Sequence, residues 1–526
     1  MKIDFLLSST AMMNSFKLLR QYGQHNSMLL HKYNSTVAAA QLSDIKTSNP
    51  KPFKDIPGPT GIYNIPKIGA MFLFKPFSNY NQERFHEVLD NVCDKYGPII
   101  KLSLMKSAVF TSDPNDIEIV YKNEGKYPIR PGLGLFEVYI ERTKRPKNLG
   151  ILHGEKWAEL RHQIQKKLVR PKSALHYIER QSEVATDLVH KLQNTHPDQV
   201  RELLFLYATE SISVVCFDRR LGILSGVATE EVKNYLDNVK TFFVYVNKGR
   251  LGLPLYKYFE TPMYKKFKKA ADESYGFGRM QIEEALNKCL QMKKNGTWNP
   301  EEPNFLMSLL AAETLTIDQI TGLVIDLLIA GTDSTAKNLE NFLDCLARYP
   351  EVQETLYQEI IEHMGQNGDL TADNLPKMKY LVACLKESFR LHYPISFGTV
   401  RALPVDVVLS GYHVPKGTLI GLNNRRLLLD PKYVKDPTFY RPERWLRDEK
   451  GERVDPIPTV GLTPFGIGVR NCVGRRFAEQ EIYLAIAKIV QNFKVSLTGE
   501  VPPPKIIYQT FGFLQQKSMF NFEKRK

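Results

Sequence analysis

A segment in the middle of the chain predicts one long buried helix. It reads TIDQITGLVIDLLIAGTDSTAKNLENFLDCLARYP, residues 316–350. Thr316 and Gln319 have the spacing of a capping box, and Pro350 marks the end of the helix. At ~1.5 Å per residue such a helix spans roughly 45 Å, the width of a large domain. Val324–Gly331 is apolar on nearly every face apart from Asp326, and a helix of that kind must be buried.

The patterns around this helix predict a mainly α fold with a minor β region. Helical periodicity dominates from about residue 83 to 400, and short extended patterns occur near 99–104, 407–409 and 418–422. The chain has 526 residues, enough to bury a large core. The net charge of +14 suits an anionic membrane or an acidic protein partner. The sequence contains no compact basic block with interleaved aromatic residues, so it does not predict binding to nucleic acid.

One cysteine lies where a metal-ligating thiolate is favourable. Cys472 occurs in PFGIGVRNCVG, just ahead of a run with helical periodicity. A helix N-terminus favours the thiolate over the thiol. Gly468 and Gly474 let the backbone approach a flat cofactor, and Arg470 can reach an anionic group on it. A buried cysteine in a glycine-rich turn explains Cys472 alone, but it does not explain the combination with Phe465 and Arg470.

FGIGVRNCVG resembles the cysteine-ligand loop of the cytochromes P450, Phe-x-x-Gly-x-Arg-x-Cys-x-Gly, at every defined position. The resemblance extends along the chain beyond about residue 50. It implies a mainly helical P450 fold with haem b between the long central helix and the cysteine loop. It also implies Cys472 as the axial ligand of the iron. The expected activity is that of a monooxygenase, which inserts one oxygen atom from O2 into a lipophilic substrate.

Another motif implies a buried ion network behind the haem. Glu387 and Arg390 in LKESFRLHYP match the Glu-x-x-Arg of the family, which pairs them with a later arginine, here Arg444 of PERW. At i,i+3 the first two share a helix face. An ordinary surface ion pair is the alternative for this spacing.

Several residues are expected to hold the haem propionates. Trp157 and Arg161 in GEKWAELRHQ match the Trp-x-x-x-Arg of the family, and the resemblance implies that Arg161 binds a propionate. Arg470 and Arg401 are further candidates. Arg401 is equally compatible with a surface charge.

The segment AGTDST matches the oxygen-activation motif of the family. We expect Gly331 to relax the helix there, and Asp333 with Ser334 to relay protons. The family usually has threonine directly after the acid. Here Ser334 follows Asp333 and Thr335 comes next, so either hydroxyl can be the relay group. The alternative is that these hydroxyls only bond back to helix carbonyls.

The end of the cysteine loop, CVGRRFAEQE, resembles the mitochondrial, ferredoxin-dependent branch of the family, as does EGKYPIRPGL at residues 124–133. The resemblance implies electrons from NADPH through a ferredoxin reductase and an adrenodoxin-like ferredoxin. Arg475, Arg476 and Lys386 are the expected docking residues. A second docking position that is basic in relatives is Val382 here.

By family position, the substrate pocket has apolar walls, which suit a sterol, a lipid or a xenobiotic. The expected wall residues are Phe136, Ile395, Phe397, Val400, Phe511 and Phe513. The aromatic segment Thr241–Phe259 and the following KKFKK predict a channel lip in peripheral contact with a membrane surface. A loop that only covers the core is equally compatible with them.

Two other readings remain to be compared. A P450 of the endoplasmic reticulum, fed by a flavoprotein reductase, should carry an anchor of about 20 apolar residues. The sequence contains no such run. A haem-thiolate sensor, carrier, isomerase or dehydratase would not need Asp333 and Ser334.

The N-terminal residues have the composition of a mitochondrial transit peptide. The first 43 residues hold four basic side chains and one acid, Asp4, among scattered apolar, Ser, Asn and Gln residues. We assign residues 1–45 to this peptide and residues 46–526 to the catalytic domain. The expected location is the matrix face of the inner membrane. A disordered tail is the alternative.

Residues 1–45 fused to a fluorescent protein should direct it to mitochondria and should be removed there, because their basic, acid-poor composition suits import. Imaging and N-terminal sequencing of the recovered protein check this. A reticular or diffuse pattern would show that the segment is not an import signal.

Overall fold

A computed structural model describes residues 49–66, 68–104, 106–130, 134–168, 171–249, 254–297, 304–312 and 314–525. The proposed transit peptide lies outside these residues. The helices are α1 (Phe85–Tyr96), α2 (Pro114–Lys122), α3 (Gly134–Thr143), α4 (Gly154–Leu168), α5 (Pro171–Leu175), α6 (Ile178–Leu192), α7 (Val200–Phe217), α8 (Glu230–Lys248), α9 (Pro262–Lys294), α10 (Phe305–Ala312), α11 (Ile317–Arg348), α12 (Pro350–Met364), α13 (Lys379–Leu391), α14 (Asn424–Leu429) and α15 (Arg475–Asn492). The strands are β1 (Ile99–Ser103), β2 (Ser107–Thr111), β3 (Val400–Ala402), β4 (Val407–Leu409), β5 (Tyr412–Val414), β6 (Leu419–Leu422), β7 (Phe493–Leu497), β8 (Ile506–Gln509), β9 (Phe511–Leu514) and β10 (Phe520–Lys524).

Short 3₁₀ turns connect several of these elements. They lie at Phe53–Asp55, Gly61–Asn64, Gly69–Leu73, Gln82–Arg84, Pro197–Gln199, Leu255–Lys257, Leu375–Lys377 and Pro442–Trp445. No helix in the described part of the chain is both long and apolar enough to cross a membrane.

The chain divides into two compact units. In the described residues, the small unit comprises residues 49–55 and 411–413, where Lys51 and Tyr412 form a parallel bridge. The large unit comprises residues 56–410 and 414–525 and contains the helical core and the candidate site.

The predicted long helix is α11, and it begins at the predicted capping box. The Thr316 hydroxyl accepts a hydrogen bond from the Gln319 backbone N–H, and the Gln319 side chain accepts one from the Thr316 N–H at 2.8 Å. The helix ends at Arg348, and Pro350 starts α12. Helices α7, α9 and α15 pack around α11, which explains why most of its apolar residues are buried.

The helix does not relax at Gly331. It continues without a break through residues 330–335. A Cβ at Gly331 would lie 2.9 Å from the Cγ1 atom of Ile212 on α7, which is too close. The glycine therefore allows close packing of α7 against α11, and the expected distortion is absent.

The β region is small, as predicted. Its largest sheet has the strand order β1-β2-β6-β3, in which β2 and β6 are parallel and the other neighbouring pairs are antiparallel. Two antiparallel pairs, β7 with β10 and β8 with β9, lie near the C-terminus. The extended patterns predicted near residues 99–104, 407–409 and 418–422 correspond to β1, β4 and β6. The mainly α fold with a minor β region is therefore confirmed.

A buried ion network joins α13 to the loop that precedes the cysteine. Arg390 Nη2 and Arg444 Nε donate to Glu387 Oε1 at 2.8 and 3.0 Å, and all three side chains are fully buried. Trp445 Nε1 donates to Glu387 Oε2 at 2.8 Å. The two guanidinium groups also donate to backbone carbonyls, and Arg444 Nη1 lies 3.1 Å from Asp455. The network thus compensates each buried charge, as burial requires.

Candidate functional site

A cavity of about 1150 Å³ lies between the central helix α11 and the cysteine loop. Its wall includes Ala330, Gly331, Ser334 and Thr335 of α11. On the opposite side it includes Phe465, Arg470, Cys472, Val473 and Gly474. Trp157 and Arg161 of α4 close one end.

The cysteine loop takes its shape from two glycines and one backbone hydrogen bond. Gly466 and Gly468 have φ angles of +72° and +77°, which side-chain-bearing residues rarely adopt. The Cys472 N–H donates to the Phe465 carbonyl at 2.8 Å. The Phe465 ring packs edge-on against Phe389 of α13, with 5.5 Å between ring centroids. The loop ends at Gly474, the N-cap of α15.

A neighbouring side chain leaves little room for a Cβ at position 468. A Cβ there would lie 2.3 Å from Glu124 Oε1, the same carboxylate that binds Arg401 Nε at 2.6 Å. At Gly474, by contrast, a Cβ would meet nothing within 4 Å. Because Gly474 lines the cavity, a side chain there would extend into it.

The Cys472 thiol lies in a mixed electrostatic environment. Burial raises its pKa, whereas a hydrogen bond from the Gly474 backbone and the charges of Arg161, Arg130 and Arg475 lower it. The other five cysteines, Cys93, Cys216, Cys289, Cys345 and Cys384, are buried. Of the six, only Cys472 faces the cavity beside this positive charge, although Cys216 also touches the cavity wall.

Four arginines line the cavity close to the loop. Arg161 Nη2 donates to Asn471 Oδ1 at 2.6 Å. Arg470 donates to the carbonyls of Pro128 and Leu152, and its guanidinium lies 4.2 Å from the centroid of the Trp157 ring. Arg401 is buried and paired with Glu124, so it is not a surface charge.

Sequence reasoning missed the fourth arginine, Arg130. It lies in the segment EGKYPIRPGL, which pointed only to the branch of the family. Burial lowers the pKa of Arg130, and the charge of Arg401 lowers it further. For Arg470, burial and then the charges of Arg130, Arg401 and Arg161 lower the pKa to about 10.

This cluster fits an anionic cofactor. Among the described residues, Arg130, Arg161 and Arg470 form no ion pair with a carboxylate, and Arg161 Nε is buried without a hydrogen-bond partner. Crowded buried cations without counter-charge are unfavourable. The two propionates of haem b would supply that charge. The open space at Gly474 and the Cys472 side chain fit the same cofactor.

The predicted proton-relay residues do not share one orientation. Ser334 lines the cavity, and its hydroxyl donates to the Ala330 carbonyl at 2.7 Å. Thr335 also lines the cavity, but its Oγ1 is buried and has no partner among the described residues. Asp333 is outside the cavity wall, because its Oδ2 pairs with Lys337 Nζ at 2.8 Å. Burial raises the pKa of Asp333, and the Lys337 charge opposes this.

Sequence reasoning also missed Glu481, which is fully buried and lines the cavity from α15. Gln181 Nε2 donates to its Oε1 at 3.0 Å, while its Oε2 has no partner among the described residues. Burial raises the pKa of Glu481 to about 8, although the Ser211, Thr335 and Gln181 dipoles lower it. The signal in the sequence was an acid directly before the apolar stripe of α15.

The predicted apolar walls are present with one exception. Phe136, Ile395, Phe397, Val400 and Phe511 all line the cavity. Phe513 does not. It lies two residues further along β9, where the Lys337 ammonium and the Arg201 guanidinium lie over its ring at 4.9 and 5.5 Å. The strand carries Phe513 beyond the edge of the cavity, which a motif alone does not show.

The predicted docking residues lie on an exposed face beside the cysteine loop. The Arg475 and Arg476 side chains are 48% and 47% exposed and share Glu479 as their nearest acid, at 2.9 and 4.0 Å. Lys386 is exposed, and desolvation together with the nearby charge of Arg453 lowers its pKa. Arg447 and Arg475 contribute to the same effect. We call Lys386, Arg447, Arg453, Arg475 and Arg476 the basic surface.

Comparisons with known proteins agree with this geometry. The family model described as Cytochrome P450 matches residues 59–523. A Drosophila melanogaster protein, described as probable cytochrome P450 12a5, mitochondrial, is 30% identical over 88% of this chain and 90% of its own length. Cytochrome P450 CYP12A2 of Musca domestica is 33% identical over 76% of this chain and 79% of its own length. Cytochrome P450 27C1 of Aquarana catesbeiana is 27% identical over 89% and 86%.

The chain belongs to the cytochrome P450 family. It is a haem-thiolate monooxygenase with haem b and a cysteine thiolate as axial ligand, and its relatives place it in the mitochondrial branch. Enzymes of that branch use a ferredoxin system and lipophilic substrates, which confirms the class of redox partner expected from the sequence.

Glu481 should make stability depend on pH. Its pKa is about 8 in the folded protein and 4.5 in an unfolded chain, so the folded state binds more protons between these values. Stability should therefore fall as pH rises through this window, by at most about 1.4 kcal/mol per pH unit. Glu481→Gln should remove that slope, which thermal unfolding between about pH 6 and pH 8 measures.

Glu523→Gln, at an exposed position, is the control for loss of one negative charge. It should unfold with the same pH dependence as the unchanged protein. If Glu481→Gln does so as well, Glu481 is ionised throughout this range and its surroundings stabilise the carboxylate.

Proposed function

We propose that this chain is a mitochondrial monooxygenase on the matrix face of the inner membrane, which oxidises a sterol, lipid or xenobiotic with electrons from an adrenodoxin-like ferredoxin. The observation that supports this most directly is the basic surface beside the cysteine loop. It offers five exposed cations near Cys472, within reach of a small acidic electron donor.

The haem-binding residues follow from the cavity wall. Cys472 is proposed as the axial ligand, and Arg130, Arg161 and Arg470 as the propionate partners. Trp157 orients Arg470 through their stacking contact. Arg401 acts through Glu124, which it holds against the loop at Gly468. When bound, haem b supplies the site at which O2 is reduced and one of its oxygen atoms reaches the substrate.

Ser334 is proposed as the hydroxyl that passes protons into the cavity. Its hydroxyl donates to the Ala330 carbonyl, and the oxygen can still accept a hydrogen bond from a proton donor in the cavity that Ser334 lines. Asp333, the preceding residue, pairs with Lys337, and the two side chains are 10% and 15% exposed. Asp333 is therefore proposed to take up protons from solvent for Ser334.

Ser334→Ala should uncouple electron consumption from product formation, since the cavity loses its accessible hydroxyl. We expect product per NADPH to fall roughly tenfold or more, with little change in substrate affinity. Ser334→Thr should retain coupling because it keeps a hydroxyl. Product and hydrogen peroxide, measured against NADPH consumed, give the result.

Thr335→Val is the matched control, because it removes the neighbouring hydroxyl and preserves the side-chain shape. It should change coupling less than about threefold. The reverse pattern, in which Thr335→Val uncouples and Ser334→Ala does not, would assign the proton relay to Thr335 and Glu481.

The basic surface is proposed as the ferredoxin site. Arg475 is three residues from Cys472, and Arg476 follows on the first turn of α15. The sequence pointed to Lys386, Arg475 and Arg476, and we include Arg447 and Arg453 because their charges act on Lys386. Their shared charge favours encounter with an acidic protein, even though the departure at Val382 removes one expected cation.

Arg475→Gln with Arg476→Gln should weaken ferredoxin binding by tenfold to a hundredfold at low salt, if each contact contributes about 1.4 kcal/mol. The difference should shrink as ionic strength rises, because the Debye length falls to ~3 Å at 1 M salt. Titration of haem reduction against ferredoxin concentration measures the effect, with each arginine also changed alone.

Lys265→Gln with Lys266→Gln is the matched control, since it removes two exposed charges from α9. Product formation driven by a peroxide, which bypasses the ferredoxin, should survive in both double variants. If the arginine variant loses that activity equally, Arg475 and Arg476 serve the haem or the fold.

Exposed apolar side chains at the cavity rim support the membrane contact. Ile62, Ile68 and Phe77 are exposed near Met71, and Leu255, Tyr258 and Phe259 are exposed near Tyr256. Met71 and Tyr256 both line the cavity, so both segments adjoin it. Part of the predicted lip, residues 250–253, lies outside the described residues. A lipophilic substrate could enter directly from the bilayer at this rim.

A further inference from the structure

Asp326 of the central helix lies in the cavity wall away from the cysteine loop. It precedes Ala330 by four residues and Ser334 by eight, so the three share one face of α11. At ~1.5 Å per residue, Asp326 is roughly 6 Å along the axis from Ala330 and 12 Å from Ser334. It interrupts the apolar stretch that the sequence predicted to be buried on all sides.

The Asp326 carboxylate has no hydrogen-bond or ion-pair partner among the residues that the structure describes. Burial raises its pKa well above the ordinary value, and no cation opposes this. Arg145, which neighbours Tyr275, is engaged elsewhere: its guanidinium lies 4.4 Å from the centroid of the Tyr275 ring and pairs with Asp272 at 3.0 Å. An unpaired acid in an apolar wall costs stability, which indicates that a ligand compensates it.

The surroundings add buried polar groups and one more acid. The Tyr275 hydroxyl and the Asn148 side chain are buried and make no hydrogen bond of normal geometry in the described chain. Burial and then the charge of Asp326 raise the pKa of Tyr275, whereas the nearby charge of Arg145 and the Asn148 side chain lower it. Glu137 also lines the cavity, with a pKa that burial raises and the charge of Lys257 lowers. The arginine cluster lies around the cysteine loop, at a different part of the wall. Because Lys257 also lines the cavity and offsets the charge of Glu137, Asp326 is the acid that remains without counter-charge among the described residues of this region.

We propose that Asp326 anchors a positively charged nitrogen of the substrate, so that the enzyme accepts lipophilic organic ammonium ions. The inference rests on the proposed function for the oxidation step only. Leu323 and Leu327 on the same helix, with Phe136 opposite, contact the hydrocarbon part. A nitrogen held at Asp326 places carbons about one to two helical turns away beside Ala330 and Ser334, where oxidation occurs.

The test compares ligands that differ only in charge. A phenylalkyl-trimethylammonium ion cannot lose its charge or ligate iron, and its tert-butyl analogue has the same shape. Calorimetric titration of the haem-loaded enzyme should show that the cation binds at least tenfold more tightly than the tert-butyl analogue. Asp326→Asn should remove that preference and leave affinity for the neutral analogue within about twofold.

Asp318→Asn, which removes an exposed acid near the start of the same helix, should leave both affinities unchanged. The carbon monoxide spectrum of each variant verifies the haem site. Equal affinities for cation and analogue in the unchanged enzyme, or equal losses for both in Asp326→Asn, would overturn the proposal. A matched alcohol that shows the same preference as the cation would also overturn it, because Asp326 would then recognise a hydroxyl. Binding is measured without ferredoxin or turnover, so failure of the proposed electron route leaves this result independent.

Discussion

An excess of positive charge around the cavity is the constraint on which the rest of the site depends. Arg130, Arg161, Arg401 and Arg470 converge on one wall, and Glu124 is the only carboxylate that the structure pairs with them among the described residues. Glu124 and the left-handed backbone together favour glycine at position 468, so the carboxylate that pairs with Arg401 also borders the cysteine loop. The charges of Arg161 and Arg130 favour the thiolate of Cys472, against the effect of burial. Dianionic haem b would supply the counter-charge that this cluster lacks.

Three acids lie in or next to the cavity, and their charges are balanced to different extents. Asp326 lies in the apolar part of the wall, Asp333 lies on α11 outside the wall, and Glu481 lies on α15 near Thr335. Burial raises the pKa of all three. Elsewhere the fold compensates buried charge thoroughly, as the network of Glu387 with Arg390 and Arg444 shows. Asp326 and Glu481 therefore lack the cationic partner that Glu387 has, whereas Asp333 is paired with Lys337.

Helix α15 links the inside of this site to its surface. Its first turn presents Arg475 and Arg476 to solvent, while Glu481 faces the cavity less than two turns later. Because side chains 100° apart around a helix face different directions, one short segment after Cys472 can serve both surfaces. On the proposed assignment, an electron donor bound to the basic surface would lie close to the Cys472 loop.

The sequence alone determined the family, the central helix with its capping box and the minor β region, because these depend on short motifs and local periodicity. It also predicted most of the residues that the structure brings together around the cavity. It did not determine the direction in which a side chain points when contacts with neighbouring residues decide it. Lys337 turns Asp333 away from the cavity, β9 carries Phe513 past its edge, and Ile212 uses the space at Gly331. Arg130, Glu481 and the isolation of Asp326 became visible only when distant segments packed together. Burial and the presence or absence of a partner are properties of the tertiary structure, since they depend on residues hundreds of positions apart.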